Sequence, residues 1–134
     1  MDFNRTYFLR YQLPVFLWAG LIFAVSSYPH LPTPETSFKH LDKIAHFFEY
    51  GVHGYLMTRS FFYHGRTSVS RKAITLALLL GLVFAGTDEF YQLFVPGRMA
   101  SFGDFFADGT GILLALGIFY RRHIRKERGA GEEG

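Results

Sequence analysis

The stretch Ala73–Val95, AITLALLLGLVFAGTDEFYQLFV, decides the class of this protein. Its first fifteen residues contain no Asp, Glu, Lys or Arg, and the whole segment exceeds the roughly 20 apolar residues that a helix needs to cross a bilayer. Asp88, Glu89 and Gln92 then stand near its end. An ionised group in hydrocarbon costs about 2.5–3.5 kcal/mol, so such residues persist where they face one another or a wet cavity. The segment therefore predicts a membrane helix that ends in a functional polar site.

Three further segments reach or approach the same length: residues 8–28, 44–63 and 101–120. The chain is 49% hydrophobic with 16 Phe, which is more apolar surface than a soluble globule of 134 residues can bury. We therefore predict one all-α domain over residues 1–128, an integral membrane four-helix bundle with short loops, and a disordered tail at 129–134. The absence of cysteine excludes a disulfide framework, a catalytic thiol and a thiolate metal site.

The first segment has an alternative interpretation as a secretory signal peptide. Arg5 and Arg10 precede its apolar stretch, and Ala24-Val25-Ser26 has the small residues of a cleavage site. The other three segments would still require a membrane.

The basic residues predict the orientation. Eleven of the 14 Lys and Arg residues lie at the N-terminus, in the loop between the second and third segments, and in the tail. The remaining three, Lys39, Lys43 and Arg98, lie on the other side. Because positive residues stay in the cytoplasm, we expect a multi-pass protein of the cell's inner (plasma) membrane with both termini cytoplasmic. The net charge of +3 needs no nucleic-acid partner and suits anionic membrane lipids.

This topology places the polar residues of three helices at the same, extracytoplasmic end. His46, Glu49 and Tyr50 have the i, i+3, i+4 spacing of one helical face. Asp104 and Asp108 are four residues apart and also share a face. Together with the carboxylates of the third segment, they predict a polar site near the extracytoplasmic face.

Local signals predict two helix starts and one close helix contact. Asp42 is suited to cap the second helix, and Ser101–Asp104, SFGD, resembles a capping box that opens the fourth. Ala107, Gly111 and Ala115 form a stripe of small residues that lets membrane helices approach one another.

Three blocks of sequence resemble, in order, the signature blocks of the VanZ-like membrane protein family. They are LDKIAHFFEYGVHGYL (41–56), TDEFYQLFVPGR (87–98) and SFGDFFADGTGILL (101–114), and the resemblance covers about residues 40–120. It implies a role in the cell envelope, because the family's namesake is an accessory protein associated with resistance to teicoplanin.

The resemblance also implies a set of site residues: Lys43, His46, Glu49, Tyr50, Asp88, Glu89, Gln92, Pro96, Arg98, Asp104, Asp108 and Gly111. Two positions depart from the family pattern. Asp108 stands where the family often has Asn, and His53 stands where an apolar residue is usual. Both departures make this site more ionisable than the pattern.

The first functional hypothesis is a binding module that contributes to antibiotic resistance. Its polar pocket would engage a lipid-linked cell-wall precursor, another envelope lipid, or the lipoglycopeptide teicoplanin itself. Lys43 and Arg98 would meet phosphate or carboxylate, although both are also suited to simple headgroup anchoring. The candidate ligand-binding residues are Lys43, Tyr50, Gln92, Arg98, Asp104 and Asp108.

The second hypothesis is a membrane-embedded enzyme that acts on a lipid phosphate or polyprenyl-phosphate headgroup. The catalytic candidates are His46, Glu49, Asp88 and Glu89. A divalent metal is a candidate cofactor, because imidazole and carboxylate groups from several helices suit such an ion. Its candidate ligands are His46, Glu49, Asp88 and Asp108. His46 or Glu49 would act as general base, and Arg98 would stabilise the phosphoryl charge.

Two further alternatives remain open. Lys43, His46 or Arg98 could neutralise the carboxylates in a purely structural network of ion pairs. A proton- or ion-coupled transporter is the other, and with four helices it would need a dimer. The acidic residues cluster at one end rather than along the crossing, which counts against transport. An oligomer stays open in every case.

Overall fold

The computed structural model describes residues 3–29, 39–64 and 70–124, and every regular element within them is helical. The helices are α1 (Phe3–Tyr7), α2 (Leu13–Ser26), α3 (Lys39–Phe62), α4 (Ser70–Gln92) and α5 (Phe102–Phe119). A π-helical turn, Phe8–Gln12, joins α1 to α2, and a second one, Tyr120–Ile124, extends α5. The result is four helical rods, as the all-α prediction requires. Residues 125–128 and the predicted tail at 129–134 lie outside the described residues.

The π-helical turn has a local cause in Pro14. Proline in a helix lacks the N–H for the usual bond and clashes with the carbonyl four residues earlier. Here the turn before it widens, and the N–H of Leu13 donates to the carbonyl of Phe8, five residues back. Pro14 then sits in the first turn of α2, so the first rod passes it without breaking.

The helix ends differ from the predicted ones. α3 begins at Lys39 rather than near residue 44, so the prediction of Asp42 as its N-cap is wrong, and this carboxylate lies within the first turn. α4 ends at Gln92, and the chain turns through Gly97 at a φ of 77°, which glycine adopts without steric penalty. α3 therefore starts before its predicted apolar segment, whereas α4 stops three residues short of the predicted end at Val95.

The capping box predicted at the start of α5 is also absent. Ser101 occupies the N-cap position with extended backbone, but its side chain makes no capping hydrogen bond. Its carbonyl accepts the N–H groups of Asp104 and Phe105. The Asp104 side chain instead bonds to α3.

Three of the rods have the length and composition to span a membrane: Arg5–Ser26, Lys72–Gln92 and Phe102–His123. Large apolar side chains point outward from them, with Phe16, Val83 and Phe106 all more than 60% exposed. Hydrocarbon accommodates such a surface, and water does not. α3 is 24 residues long, but among the described helices it falls outside this group because it carries more polar residues.

α3 and α5 pack with their backbones in close contact at Gly111. A Cβ atom at this position would overlap the carbonyl oxygen of Phe47 and lie 3.0 Å from the backbone nitrogen of Gly51. The stripe of small residues predicted in α5 therefore lies at a helix interface. This close contact positions the polar ends of α3 and α5 against each other.

The first rod belongs to the same core. Ile22 is 1% exposed, and the indole N–H of Trp18 donates to the carbonyl of Glu49 at 2.8 Å. Near the opposite end, the Tyr7 hydroxyl donates to the carbonyl of Ser60 at 2.7 Å. These contacts attach the first rod to α3 at two positions along its length.

Candidate functional site

The candidate site lies at the end of the bundle where α2 and α4 end and α3 and α5 begin. It gathers most of the polar residues that the sequence singled out, and their side chains point inward. Those buried there are His46, Tyr50, Asp88, Glu89, Gln92, Asp104 and Asp108.

Its centre is a cluster of His46 from α3, Glu89 from α4 and Asp108 from α5. The Nδ1 of His46 lies 3.0 Å from Oδ1 of Asp108 and 4.0 Å from Oε1 of Glu89. One ligand atom from each residue lies within 4.8 Å of the others. Two carboxylates buried together must share a proton or have a positive partner nearby. A protonated imidazole or a metal ion could serve, so the cluster suits either an ion pair or a cation site.

Four buried side-chain atoms in the described part of the chain have no hydrogen-bond partner: Tyr50 Oη, His53 Nδ1, Glu89 Oε1 and Asp108 Oδ2. Each such group costs about 1–3 kcal/mol when it is buried without a partner. Three of them belong to or adjoin the central cluster. Their concentration in one place indicates a site built to meet another polar group.

The second carboxylate oxygen of Glu89 accepts a hydrogen bond from the backbone. Its Oε2 accepts the backbone N–H of Ser101 at 2.7 Å, at the residue that precedes α5. This bond fixes the orientation of the carboxylate and leaves Oε1 facing His46.

Lys43 and Asp104 form the outer layer of the site. The ammonium of Lys43 donates to Oδ1 of Asp104, joining α3 to α5. The Lys43 side chain is 41% exposed, whereas that of Asp104 is 8% exposed. Asp42, His46 and Asp104 form a second group of ligand atoms within 4.8 Å of one another. The Lys43 ammonium at Asp104 opposes a cation there.

Asp88 faces the first rod rather than the central cluster. Its Oδ2 accepts the hydroxyl of Ser26 at 2.8 Å and the amide of Gln92 at 3.4 Å. Ser26 was not predicted as a site residue and was interpreted only as part of a cleavage motif. Its hydroxyl at the end of an uncharged apolar run is the one sequence feature that could have indicated a polar role.

Arg98 lies on the turn between α4 and α5, at the edge of the site. Its guanidinium donates to the carbonyls of Val25 at 3.1 Å and Tyr28 at 3.5 Å, and to the Gln92 side chain at 3.5 Å. No carboxylate of the described residues lies within ion-pair distance of it. Its positive charge is therefore available to an anionic ligand.

Glu49 lies at the edge of the site and is half-buried. It is not part of either cation-binding group found among the described residues.

A polar pocket of about 420 Å³ opens at this end of the bundle. It is lined by Asp42, Lys43, Gln92, Gly97, Arg98, Met99, Ala100, Ser101 and Asp104. Apolar grooves adjoin it on two sides. The larger, about 390 Å³, shares Arg98 with the pocket and is otherwise lined by Ala24, Val25 and Tyr28.

The second groove runs between α4 and α5 and has a volume of about 280 Å³. It shares Ala100 and Ser101 with the polar pocket and is otherwise lined by Gly86, Glu89, Phe102 and Phe105. A molecule with a polar head and an apolar chain could therefore occupy both spaces at once.

Comparison with known proteins yields one family. The sequence matches the VanZ/LLP1 family over residues 3–124, from the first rod to the end of the described part of α5 and its π-helical turn. No curated protein and no solved structure matches the chain. The family match covers nearly the whole chain, and three of its helices are apolar and long enough to span a bilayer. The chain therefore belongs to the VanZ/LLP1 family and has the features of a membrane protein.

Proposed function

We propose that this protein binds a phosphate-bearing lipid of the cell envelope at the extracytoplasmic end of its bundle. The headgroup occupies the polar pocket, and the acyl or prenyl chain lies in the groove between α4 and α5. The observation that carries this proposal is the continuity of the two spaces through Ala100 and Ser101.

The charges of the pocket favour an anionic headgroup. The side-chain hydrogen bonds of Arg98 to the described residues go to carbonyl and amide oxygens, and none goes to a carboxylate. Lys43 donates one hydrogen bond to Asp104. Because an ammonium has three N–H donors, others can bind a ligand. A guanidinium and an ammonium at one pocket provide charge-assisted hydrogen bonds to phosphate oxygens.

The groove beside the pocket favours an apolar chain. Phe102 is 86% exposed, and Phe105 is half-buried against the core. Both line the groove, and their aromatic rings provide an apolar surface for a lipid chain. A lipid could enter sideways from the outer leaflet without leaving the membrane.

This proposal treats α3 as a fourth crossing of the inner membrane, with both termini cytoplasmic. Its support is the direction of the α3 side chains. His46 and His53 point inward and are at most 4% exposed, whereas Phe48 and Ile44 point outward and are more than half exposed. A helix with polar residues inside and apolar residues outside suits a lipid surround.

The proposal includes a route to antibiotic resistance. By binding a lipid-linked wall precursor, the protein would change how much of that precursor is accessible to a glycopeptide at the membrane surface. Teicoplanin shares the required chemistry, since it joins acidic groups to a lipid tail, so it is the competing ligand in the test.

The test measures lipid binding by native mass spectrometry of the detergent-purified protein. The probes are undecaprenyl phosphate, phosphatidylglycerol, uncharged diacylglycerol and teicoplanin. We expect the phosphate lipids to bind and Arg98→Gln to weaken them at least tenfold, which corresponds to one charge-assisted contact. The control is Arg122→Gln, an exposed basic residue at the opposite end of the bundle.

Three results would contradict the proposal. One is equal binding of diacylglycerol and undecaprenyl phosphate, because charge would then play no part. Another is equal loss of binding in Arg98→Gln and Arg122→Gln. Binding of teicoplanin alone would move the function from an envelope lipid to the antibiotic.

A second candidate function is hydrolysis of the bound lipid phosphate. It is favoured by one observation, the buried cluster of His46, Glu89 and Asp108, which has unpaired carboxylate oxygens and whose Glu89 lines the groove beside the pocket. In this interpretation His46 takes a proton from a water that attacks the terminal phosphorus. The bond from that phosphorus to the bridging oxygen breaks, polyprenyl phosphate leaves, and Arg98 stabilises the phosphoryl charge. Release of inorganic phosphate from a polyprenyl diphosphate, abolished by His46→Gln with lipid binding retained, would establish it.

A further inference from the structure

We propose that His46, Glu89 and Asp108 together bind one divalent transition-metal cation of the Mn²⁺ or Zn²⁺ type. The metal ligands differ from Lys43 and Arg98, the two residues proposed to hold the lipid headgroup, although Glu89 also lines the groove proposed for the lipid chain. The set retains two of the metal ligands predicted from sequence and places Glu89 where Glu49 and Asp88 were predicted.

The distances suit one shared ion. Two atoms that bind the same ion with bonds of about 2.1 Å can be at most about 4.2 Å apart. The Nδ1 of His46 lies 3.0 Å from Asp108 Oδ1 and 4.0 Å from Glu89 Oε1. Both separations fall within this limit, and one ligand atom from each of the three residues lies within 4.8 Å of the other two.

The charges also suit a divalent ion. Asp108 is fully buried and Glu89 is 7% exposed, so two carboxylates share an interior with little solvent. A protonated imidazole balances only one of them. A divalent cation with neutral imidazole balances both, which lowers the cost of burying the pair.

The unpaired oxygens provide the independent evidence. Glu89 Oε1 and Asp108 Oδ2 are buried and have no hydrogen-bond partner among the described residues. Meanwhile Glu89 Oε2 is fixed by the backbone N–H of Ser101. A carboxylate oriented by an outer hydrogen bond, with its other oxygen free, is the usual arrangement of a metal ligand.

The ligand types select the class of cation. One imidazole and two carboxylates make a mixed nitrogen and oxygen site, which Mn²⁺ and Zn²⁺ accept, whereas Ca²⁺ prefers six to eight oxygens. Three protein ligands leave at least one position for water or for a lipid phosphate oxygen.

The neighbouring carboxylates are less suitable. Asp88 Oδ2 already accepts hydrogen bonds from Ser26 and Gln92. Asp104 forms an ion pair with the Lys43 ammonium, and this positive charge would repel a metal cation.

The test is metal content after reloading. Protein purified in detergent is stripped with EDTA, equilibrated with micromolar Mn²⁺ or Zn²⁺, freed of excess and measured by mass spectrometry of the elements. We expect about one ion per chain, and at least a tenfold weaker affinity in Glu89→Gln and Asp108→Asn, since even outer-shell losses weaken binding 10–100-fold. Glu49→Gln is the matched control, one helical turn from His46, and should retain the ion.

A second measurement uses only the wild-type protein, so it does not depend on whether a variant folds. Electron spin echo spectra of Mn²⁺-loaded wild-type protein should show coupling to one imidazole nitrogen, from His46. Absence of bound ion in helical, monodisperse wild-type protein would overturn the proposal. So would bound Mn²⁺ without nitrogen coupling, or equal loss of ion in Glu49→Gln and Glu89→Gln.

The lipid proposal can fail separately. Arg98→Gln should bind the metal as the wild type does, because the guanidinium lies outside the cluster. Loss of lipid binding with the metal retained, or the reverse, therefore shows which of the two proposals is wrong.

Discussion

Nδ1 of His46 and Oδ1 of Asp108 lie 3.0 Å apart in the interior of the bundle, although the two residues are 62 positions apart in the chain. This contact joins α3 to α5 at the level where Glu89 of α4 reaches the same imidazole. The three helices thus share one buried polar centre, and the close backbone contact at Gly111 lies one turn further along α5.

That backbone contact is tested by Gly111→Ala. The added Cβ would overlap the Phe47 carbonyl, so α3 and α5 must separate. We expect a loss of about 1–3 kcal/mol, the range for overpacking, seen as a lower melting temperature in detergent. The control is Gly117→Ala on the same helix, where a Cβ meets nothing within 4 Å and alanine favours the helix. Equal melting of the two variants would contradict the close contact.

The link between the first rod and α4 is tested by Ser26→Ala. This change removes the hydroxyl that donates to Asp88 and leaves a buried carboxylate oxygen with one weaker donor. A loss of about 1–3 kcal/mol in thermal unfolding is expected. Thr87→Ala is the control, because its exposed hydroxyl bonds to the carbonyl of Val83 in its own helix, next to Asp88. The link is absent if Thr87→Ala destabilises the protein as much as Ser26→Ala does.

The ion pair of Lys43 and Asp104 is suited to a double-mutant cycle. Lys43→Met alone leaves the buried Asp104 carboxylate without its cation and should destabilise the protein. Adding Asp104→Asn should restore part of the loss. Because Lys43 is substantially exposed, we expect a coupling of only about 0.5–1 kcal/mol, measured by thermal unfolding. Purely additive losses would show that the pair contributes nothing to stability.

Substitution of His53 is expected to stabilise the protein rather than destabilise it. Its ring is buried against Phe84 at a centroid separation of 4.9 Å, and its Nδ1 has no partner among the described residues. Replacing it with leucine removes an unpaired polar atom from the core. We expect His53→Leu to raise the unfolding free energy by up to about 1 kcal/mol without weakening lipid binding. A loss of stability together with a loss of binding would assign His53 to the site.

The orientation can be tested with single cysteines, because the chain contains none. Met99 is 81% exposed on the turn beside the polar pocket, and Tyr63 is 40% exposed at the opposite end. We expect a membrane-impermeant maleimide to label Met99→Cys in intact cells and Tyr63→Cys only after permeabilisation. The reverse pattern would place the polar pocket on the cytoplasmic side.

Much of the fold was predictable from local pattern. Apolar runs of membrane length predicted the four rods, and a stripe of small residues predicted the close contact at Gly111. The polar ends of α3, α4 and α5 were predicted to meet because hydropathy and the distribution of basic residues assign each helix a direction. The helix starts were less predictable from sequence, since α3 begins three residues before Asp42 and the Asp104 side chain bonds to Lys43 of α3 rather than capping α5.

The sequence by itself determined the all-helical class, the family and the set of polar residues at one end of the bundle. These follow from composition and from spacing along single helices, which require no knowledge of neighbours. Only the tertiary structure decided which carboxylate faces which partner: Glu89 toward His46, and Asp88 toward Ser26. Adjacent residues on a helix point about 100° apart, so the rotation of α4 against its neighbours separates their roles. That rotation is set by packing between helices, which the sequence of one helix cannot specify.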